Sequence, residues 1–373
     1  MPLSWVEIDL AALRHNYFQA RERLASGTRV LAVVKSDAYG HGMVPVAREL
    51  AAAGTEFLGV SKFWEALELR RQDIHLPVLV LLGVEPADME EAIRKHVRPV
   101  VFRLDHARLL SQCACSLQRP AVIHVKIDTG MGRLGVPWER VPGFLDELLA
   151  LPGLEIEGVL SHFAVADEAD KTFSELQMGR FQQVLQQFSN RGRPVRYAHI
   201  SNSAGLLDLP VAHWQLVRPG LMLYGSPPST MLERPAALLP VMSFKARILQ
   251  VKDVQTGESI GYGRTYRVPR PSRIATIPVG YDDGYSRLLS NRGQVLVGGL
   301  RAPVVGRVSM NMITVDVSHV PDAQEDDEVV LLGTQGDARI SAEEIGDLCG
   351  TISYEVYCSI GRHHFKVFSN ASA

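Results

Sequence analysis

Eight short apolar runs, separated by segments with helical spacing, constrain the fold of this chain more than any other feature. The runs occupy residues 29–35, 57–61, 76–83, 98–102, 121–128, 155–163, 196–201 and 214–220. Most are apolar without alternation, which is typical of strands covered on both faces, as in a parallel sheet. The intervening segments 43–54, 62–72 and 174–192 have the periodicity of helices. Eight strands that alternate with helices predict a closed (β/α)8 barrel.

A proline-rich segment, GSPPSTMLERPAALLPVM at residues 225–242, ends this alternation and predicts a domain boundary. Beyond it, short strand-like runs follow one another with only one helical segment, at 341–350, for which Ser341 is the predicted N-cap. We therefore predict an α/β chain with a (β/α)8 TIM barrel over residues 1–232 and a mostly β C-terminal domain over residues 233–373. The run WVEID at 5–9 fits either domain.

Charge and cysteine content exclude several classes of protein. The 39 basic and 41 acidic residues give a net charge of −2, which offers no broad surface for nucleic acid or an anionic membrane. The sequence has no apolar stretch of about 18 residues and no signal-peptide pattern at its N-terminus. Its four cysteines are too few for a disulfide framework, and the spacing of Cys113 and Cys115 is poor for zinc. We expect a cytoplasmic protein that binds neither nucleic acid, membrane nor metal.

Polar side chains collect at the ends of the predicted strands, where the active site of a (β/α)8 barrel lies. They are Lys35, Lys126, Asp128, His162, His199, Ser201, Asn202, Ser203 and Arg218, with Arg133 close behind the fifth run. Each alone has a structural explanation, such as a solvated lysine or a histidine satisfied in the core, but together they predict one site. A lysine in a desolvated pocket loses its proton more readily, which suits Lys35 to a Schiff base with a carbonyl compound.

Pyridoxal phosphate is a carbonyl compound that also needs donors for its phosphate and a partner for its pyridine nitrogen. Asn202, Ser203 and the backbone amides around Gly220 and Leu221 are the predicted phosphate donors. Arg218 is the predicted partner of the ring nitrogen. Because arginine keeps its protons in proteins, it would donate a hydrogen bond and leave that nitrogen unprotonated.

The segment AVVKSDAYGHG, at residues 32–42, resembles the pyridoxal-phosphate signature of the alanine racemases. The resemblance extends along nearly the whole chain through KIDTGMGRLG (126–135), LSHFAVADE (160–168), HISNSAG (199–205), VRPGLMLYG (217–225), SIGYGRTY (259–266), PVGYDDGYSR (278–287), GRVSMN (306–311) and TISYEV (351–356). It implies a pyridoxal-phosphate-dependent isomerase that interconverts L-alanine and D-alanine, either supplying D-alanine for peptidoglycan or degrading it. It also implies a barrel followed by a β domain, and a homodimer whose active sites combine both chains.

The resemblance also implies roles for individual residues. Racemisation removes a proton from one face of Cα and returns one to the other, which suits two flanking bases. Lys35 resembles the base that also binds the cofactor, and Tyr262 the opposing base from the other subunit. Arg133, Met310 and Tyr281 are then substrate contacts, and Lys126 a carbamylated lysine that holds Arg133. The implied cofactor contacts are Lys35, Tyr39, His162, Ser203, Arg218, Gly220, Leu221 and Tyr354.

The chain departs from the family pattern at two places, and the sequence leaves other functions open. Asn311 stands where many relatives carry aspartate, and residues 360–368 have His363, His364 and Lys366 in place of the usual arginine-containing ending. A serine or broad-specificity racemase remains an alternative. So does a barrel-fold decarboxylase, although the glycine-rich phosphate loop of those enzymes is not found here. A single-domain pyridoxal-phosphate carrier would lack the β domain and Tyr262.

Overall fold

The computed structural model describes residues 2–370. The strands of its first part are β1 (Ser4–Asp9), β2 (Arg29–Val33), β3 (Phe57–Val60), β4 (Val78–Val80), β5 (Val97–Val101), β6 (Ala121–Asp128), β7 (Val136–Pro137), β8 (Leu154–Leu160), β9 (Tyr197–His199) and β10 (Leu216–Val217). The helices between them are α1 (Leu10–Arg21), α2 (Met43–Ala52), α3 (Phe63–Arg71), α4 (Met89–Arg94), α5 (Leu104–Leu117), α6 (Val141–Leu148), α7 (Thr172–Asn190) and α8 (Ser203–Asp208).

Eight of these strands form a nearly closed parallel barrel, which confirms the predicted architecture. The order of paired strands is β10-β2-β3-β4-β5-β6-β8-β9, with the short β7 beside the end of β6. The backbone N–H of Arg218, just after β10, donates to the carbonyl of Ser201, just after β9, at 2.9 Å. This bond brings the two edge strands together. All eight strands correspond to the apolar runs, because strands covered on both faces carry few polar residues.

The second part of the chain is mostly β, again as predicted. Its strands are β11 (Met242–Arg247), β12 (Gln250–Val254), β13 (Ser259–Ile260), β14 (Tyr266–Arg267), β15 (Ser272–Ile277), β16 (Gln294–Val297), β17 (Leu300–Pro303), β18 (Ile313–Asp316), β19 (Glu328–Gln335), β20 (Ala338–Ile340) and β21 (Lys366–Ser369), and its helices are α9 (Ala342–Cys349) and α10 (Ser353–Gly361). The largest sheet here has the order β17-β16-β19-β11-β1-β21, with β20 paired to β19. Smaller sheets are β12-β15-β18 and β13-β14.

Strand β1 belongs to this second sheet although it begins the chain. It pairs antiparallel with β11, Ser4 opposite Ala246, and parallel with β21, Val6 opposite Lys366. The run at residues 5–9 therefore joins the β region and does not open the barrel. Asp9 then begins α1, since its side chain accepts hydrogen bonds from two backbone N–H groups of the first turn.

Helix α10 corrects the prediction that 341–350 is the only helical segment of the second part. Its buried residues Ser353, Val356, Tyr357 and Ile360 recur every three to four positions, so one face packs on the core. The predicted N-cap of α9 is confirmed, because the Ser341 hydroxyl accepts from the Glu344 N–H at 3.2 Å. No helix within residues 2–370 combines the length and apolar character that crossing a membrane requires.

A left-handed turn follows the first barrel strand. Within Lys35–Tyr39, the φ angles of Ser36, Asp37, Ala38 and Tyr39 are 55°, 54°, 53° and 56°. A left-handed conformation costs an L-residue roughly 1–2 kcal/mol, so the surrounding structure must stabilise this turn.

Contacts from three directions hold the left-handed turn. The Asp37 carboxylate accepts from the Met43 N–H at 2.7 Å and pairs with Lys366 Nζ at 3.0 Å. The buried ring of His41 has Nδ1 3.0 Å from the Ala38 carbonyl, to which it donates. The turn thereby connects the barrel to β21 and fixes the direction in which Lys35 leaves its strand.

Candidate active site

A cavity of about 540 Å³ lies at the C-terminal ends of the barrel strands. Its volume is in the range of small-molecule sites. It brings together eleven residues that the sequence predicted for a cofactor or substrate site: Lys35, Tyr39, Lys126, Arg133, His162, Asn202, Ser203, Arg218, Gly220, Leu221 and Tyr354. The rest of the wall consists of Ser36, Ser61 and the apolar residues Val33, Leu81, Leu82, Leu134 and Leu160. The roles assigned to the polar residues remain predictions.

Four basic side chains line this cavity, and among the described residues no carboxylate does. Burial lowers the pKa of Lys35, and the charge of Arg133 lowers it further. Burial, with the charges of Arg218 and Arg133, lowers the pKa of Lys126 to about 7. Burial also lowers the pKa of Arg218, to about 9. The cavity therefore favours neutral amines and an anionic ligand.

The guanidinium of Arg218 is fixed by hydrogen bonds on the inner side of the cavity. Its Nη2 donates to the carbonyls of Ser161 (2.7 Å) and Ile200 (3.0 Å) and lies 3.2 Å from Nδ1 of His162. Its Nη1 lies 2.8 Å from Nδ1 of His199. Burial, followed by the charge of Arg218, lowers the pKa of His162 well below its usual value, so this ring is neutral. Arg218 is thus a rigid donor at the cavity wall.

One end of the cavity presents hydroxyl groups and backbone amides. Ser203 Oγ accepts from the Gly220 N–H at 3.0 Å, and a Cβ on Gly220 would lie 2.6 Å from the Tyr39 hydroxyl. Only glycine allows this close approach. Burial raises the pKa of Tyr39 and raises that of Tyr354 to about 12, so both keep an O–H to donate. Such neutral donors suit a phosphate group.

The chemistry of the cavity fits pyridoxal phosphate. Lys35 supplies an amine whose pKa burial lowers, and the hydroxyl end supplies donors for a phosphate. The negative charge of that phosphate would balance basic side chains that have no carboxylate beside them in the cavity.

Three predicted site residues, Tyr262, Tyr281 and Met310, lie outside this cavity. Tyr262 begins the turn Tyr262–Arg264 in the β region, and the residue is 71% exposed; Tyr281 and Met310 are also exposed. The Tyr281 N–H donates to the Ser309 carbonyl at 3.0 Å, so Tyr281 and Met310 lie on adjoining loops. We call these three residues the exposed loop surface. One chain alone does not bring Tyr262 to Lys35.

Glu65 is a buried support of the site that the sequence reasoning missed. Its carboxylate accepts from the Ser36 N–H at 2.6 Å, the Ser61 hydroxyl at 2.7 Å and the Lys62 N–H at 2.9 Å. It thereby joins the start of the left-handed turn to the end of β3. The available signal was a glutamate three residues after the start of a helical pattern, as in a capping box.

The departures at the C-terminal end have structural roles. Lys366 pairs with Asp37 of the left-handed turn, and His364 Nε2 donates to the Asp283 carbonyl at 2.8 Å while its ring packs on Phe244. Asn311 is exposed beside Met310. Lys366 therefore supports the site from a segment where the sequence showed only a difference.

Comparison with known proteins gives a consistent result along the whole chain. The family model described as "Alanine racemase, N-terminal domain" matches residues 8–228, and "Alanine racemase, C-terminal domain" matches residues 241–368. The alanine racemase of Syntrophobacter fumaroxidans is 66% identical over 373 residues, which is 100% of this chain and 99% of the relative. That of Halothermothrix orenii is 43% identical over 367 residues, 98% of this chain and 97% of the relative.

Solved structures of alanine racemases share the fold. The structure from Bacillus anthracis with bound L-Ala-P is 35% identical with a TM-score of 0.93, covering 99% of this chain and 95% of that one. The structure from Bartonella henselae with covalently bound pyridoxal phosphate is 28% identical with a TM-score of 0.89, covering 99% of this chain and 100% of that one.

Proposed function

Because this chain belongs to the alanine racemase family, it is an isomerase that interconverts L-alanine and D-alanine, and we propose that Lys35 and Tyr262 are its two bases and pyridoxal phosphate its cofactor. The strongest support is the cavity itself, which contains Lys35 with its lowered pKa together with other basic side chains. One end of the same cavity presents hydroxyl groups and backbone amides that suit a phosphate. The Bartonella henselae relative carries covalently bound pyridoxal phosphate. Family membership also decides against the decarboxylase alternative.

Different residues of the cavity would bind different parts of the cofactor. When bound, pyridoxal phosphate withdraws electrons from the attached amino acid and makes its Cα–H acidic. Arg218 would hold the ring nitrogen with an N–H, and His162 would lie beside the ring. The phosphate would be held by Tyr39, Asn202, Ser203, Tyr354 and the backbone amides of Gly220 and Leu221. The Lys35 amine, whose pKa burial lowers, would accept the proton on one face of Cα.

The second base would come from a second copy of this chain. Tyr262 lies outside the cavity that holds Lys35 and is 71% exposed, although a tyrosine buries most of its ring when it can. We infer a homodimer in which the exposed loop surface of one subunit covers the cavity of the other. Tyr262 would then reach the face of Cα opposite Lys35. Tyr281 and Met310 would narrow the mouth of the site and favour a small substrate such as alanine over larger amino acids.

Lys126 supports a further part of the proposal, its carbamylation. The side chain is buried, and its pKa of about 7 leaves much of the amine neutral at neutral pH. A neutral Nζ attacks carbon dioxide, forms an N–C bond and releases a proton. The resulting carbamate would place a negative group close to Arg133, whose charge already acts on Lys126, and would hold that arginine toward the substrate carboxylate.

The protein's location is a smaller part of the proposal. Its cysteines, Cys113, Cys115, Cys349 and Cys358, are all free thiols. Free thiols are typical of a reducing compartment, which supports the cytoplasm as the place of action.

A heterodimer of two inactive variants tests the two bases and the shared site together. Lys35→Ala and Tyr262→Phe chains, co-expressed with different tags, give a heterodimer that two affinity steps isolate. One of its two sites keeps both bases and the other lacks both, so we expect about half of the wild-type racemisation of L-alanine, followed by polarimetry. Each homodimeric variant should be nearly inactive. A heterodimer as inactive as the two variants would show that Tyr262 does not act across the subunit interface.

A further inference from the structure

A continuous chain of side-chain hydrogen bonds runs through the barrel interior, away from the cavity. Nδ1 of His199 lies 2.8 Å from Arg218 Nη1, and Nε2 of His199 lies 2.9 Å from Nδ1 of His124. Nε2 of His124 lies 3.2 Å from Oε2 of Glu157, which also accepts from Arg98 Nε at 2.6 Å. We call these five residues the relay. Of the five, only Arg218 lines the cavity.

The relay is enclosed by the barrel. His124 and His199 have no exposed surface, and Glu157 is buried as well. An irregularity in the pairing of β6 with β8 falls next to His124. Opposite it, a Cβ on Gly158 would lie 2.5 Å from His124 Nδ1, so only glycine leaves room for the ring. A barrel core is normally filled with branched apolar side chains, which makes this buried polar line unusual.

The chemistry of its two ends gives the relay a single direction. Arg218 has only donors, so Nδ1 of His199 must accept and its Nε2 must carry the proton. That proton is donated to Nδ1 of His124, whose Nε2–H is then donated to Glu157. The ionised carboxylate has only acceptors and completes the chain. Only this arrangement of protons satisfies all three bonds between Arg218 and Glu157.

We propose that Glu157 is a positioning residue for Arg218: by accepting from His124, it selects the imidazole tautomers that present an acceptor to the guanidinium. In the opposite tautomer, Nδ1–H of His199 would face an N–H of Arg218 and push the guanidinium away from its place. The proposal rests on the role of Arg218 at the cofactor nitrogen given above. It adds a support that lies two side chains behind that arginine.

Glu157 is suited to this role because it stays ionised. Burial alone would raise the pKa of Glu157, but hydrogen bonds from His124 and Arg98, together with their charges, outweigh burial and lower it to about 2. The ion pair with Arg98 thus keeps an acceptor-only group at the end of the relay. Burial lowers the pKa of His124 and of His199, so both rings are neutral. Each ring therefore carries one proton, and that proton can be on either Nδ1 or Nε2.

Nitrogen NMR of protein labelled with ¹⁵N-histidine tests the tautomers directly. In the wild-type protein we expect His124 and His199 to carry their proton on Nε2 only. Glu157→Leu removes the acceptor, so His124 and His199 should show mixed tautomers. In the same variant the opposite tautomer of His199 would turn an Nδ1–H toward Arg218 and displace its guanidinium. We therefore expect kcat to fall by about tenfold, with KM little changed because the substrate contacts stay in place.

Two matched variants separate positioning from general destabilisation. Glu157→Gln keeps a carbonyl oxygen able to occupy the Oε2 position, and should retain the wild-type tautomers and most of kcat. Glu49→Leu removes a carboxylate paired with Arg14 at 2.9 Å outside the relay, and should leave both readouts unchanged. Thermal unfolding of all three variants reports whether stability alone explains a loss.

The possible results are distinguishable. A proton on Nδ1 of His199 in the wild-type protein would overturn the proposal, even if Glu157→Leu does not fold. Mixed tautomers in Glu157→Leu without a loss of kcat would also overturn it, because the relay would then not position Arg218. If the wild-type protein failed to racemise alanine, the proposed function would fail, while the tautomers would still report on the relay.

Discussion

Replacing Gly220 by alanine should weaken cofactor binding by moving the Tyr39 hydroxyl. The added Cβ would lie 2.6 Å from that oxygen, whereas ordinary contacts begin near 3.4 Å, so the hydroxyl has to move by about 0.8 Å. Tyr39 is buried, with the rings of Tyr224 and Tyr354 centred 4.9 Å and 5.8 Å from its own. Close packing on both sides leaves the ring little freedom to adjust without losing its partner.

The cost follows from the hydrogen bond that Tyr39 would make to the phosphate. A hydrogen bond to a charged group contributes about 1.5–3 kcal/mol, so the Kd for pyridoxal phosphate should rise about ten- to hundredfold. Titration of the cofactor-free protein with pyridoxal phosphate, followed by absorbance, measures this change. The fold should survive, because Gly220 has a negative φ of −127° and is not in the left-handed region.

Tyr39→Phe provides the decisive control for Gly220→Ala. The phenylalanine loses the same hydrogen bond and also removes the atom that the new Cβ would strike. In this background Gly220→Ala should therefore cost little more, and the two effects should be strongly non-additive. Full additivity of the two losses would refute the steric argument, because it would show that Gly220 acts without the Tyr39 hydroxyl.

Two other predictions concern Lys126 in the cavity and Lys366, which pairs with the left-handed turn. Because the folded pKa of Lys126 is lowered from 10.5 to about 7, the unfolded chain binds more protons between these values. The free energy of unfolding of the cofactor-free protein, in carbonate-free buffer, should therefore rise with pH through that window. Urea unfolding at pH 7 and pH 9 measures the rise, and Lys126→Met should remove the part that Lys126 contributes. An equal rise in the variant and the wild-type protein would contradict this prediction. Lys366→Met breaks the pair with Asp37 and should cost about 1 kcal/mol or less in the same assay, whereas Lys366→Arg should restore stability.

The barrel was predictable because its strands are covered on both faces, which leaves continuous apolar runs in the sequence. Strand β1 was left open because its partners, β11 and β21, are more than 230 residues away, and sheet pairing across such a distance has no local signal. Helix α10 was missed although its buried residues recur at helical spacing. The run is short, and its tyrosines and Val356 have modest intrinsic helix propensity, so tertiary packing decides its conformation.

Within the site, the side chains at strand ends were predictable and their supports were not. The left-handed turn contains no glycine between Ser36 and Tyr39 to indicate positive φ, and Glu65 and Lys366, which contact Ser36 and Asp37 of the turn, are distant in sequence. The relay did leave a signal: His124 and Glu157 are polar residues inside two of the predicted barrel strands, before the strand ends. A polar residue inside a buried strand needs a partner, and only the folded barrel shows that these two are partners of each other.

The position of β1 between β11 and β21 has a consequence for synthesis on the ribosome. Strand β1 cannot complete its pairing until residues 242–247 and 366–369 have also been made. The barrel strands, whose neighbours follow one another along the chain, can assemble long before that. Both edges of β1 stay open to unintended pairing until residues 242–247 are made, and the edge that pairs with β21 stays open until residues 366–369 follow. Cutting the chain after the barrel would likewise remove β1 from between β11 and β21 of the second sheet. We therefore do not expect the C-terminal part to fold independently of the first residues of the chain.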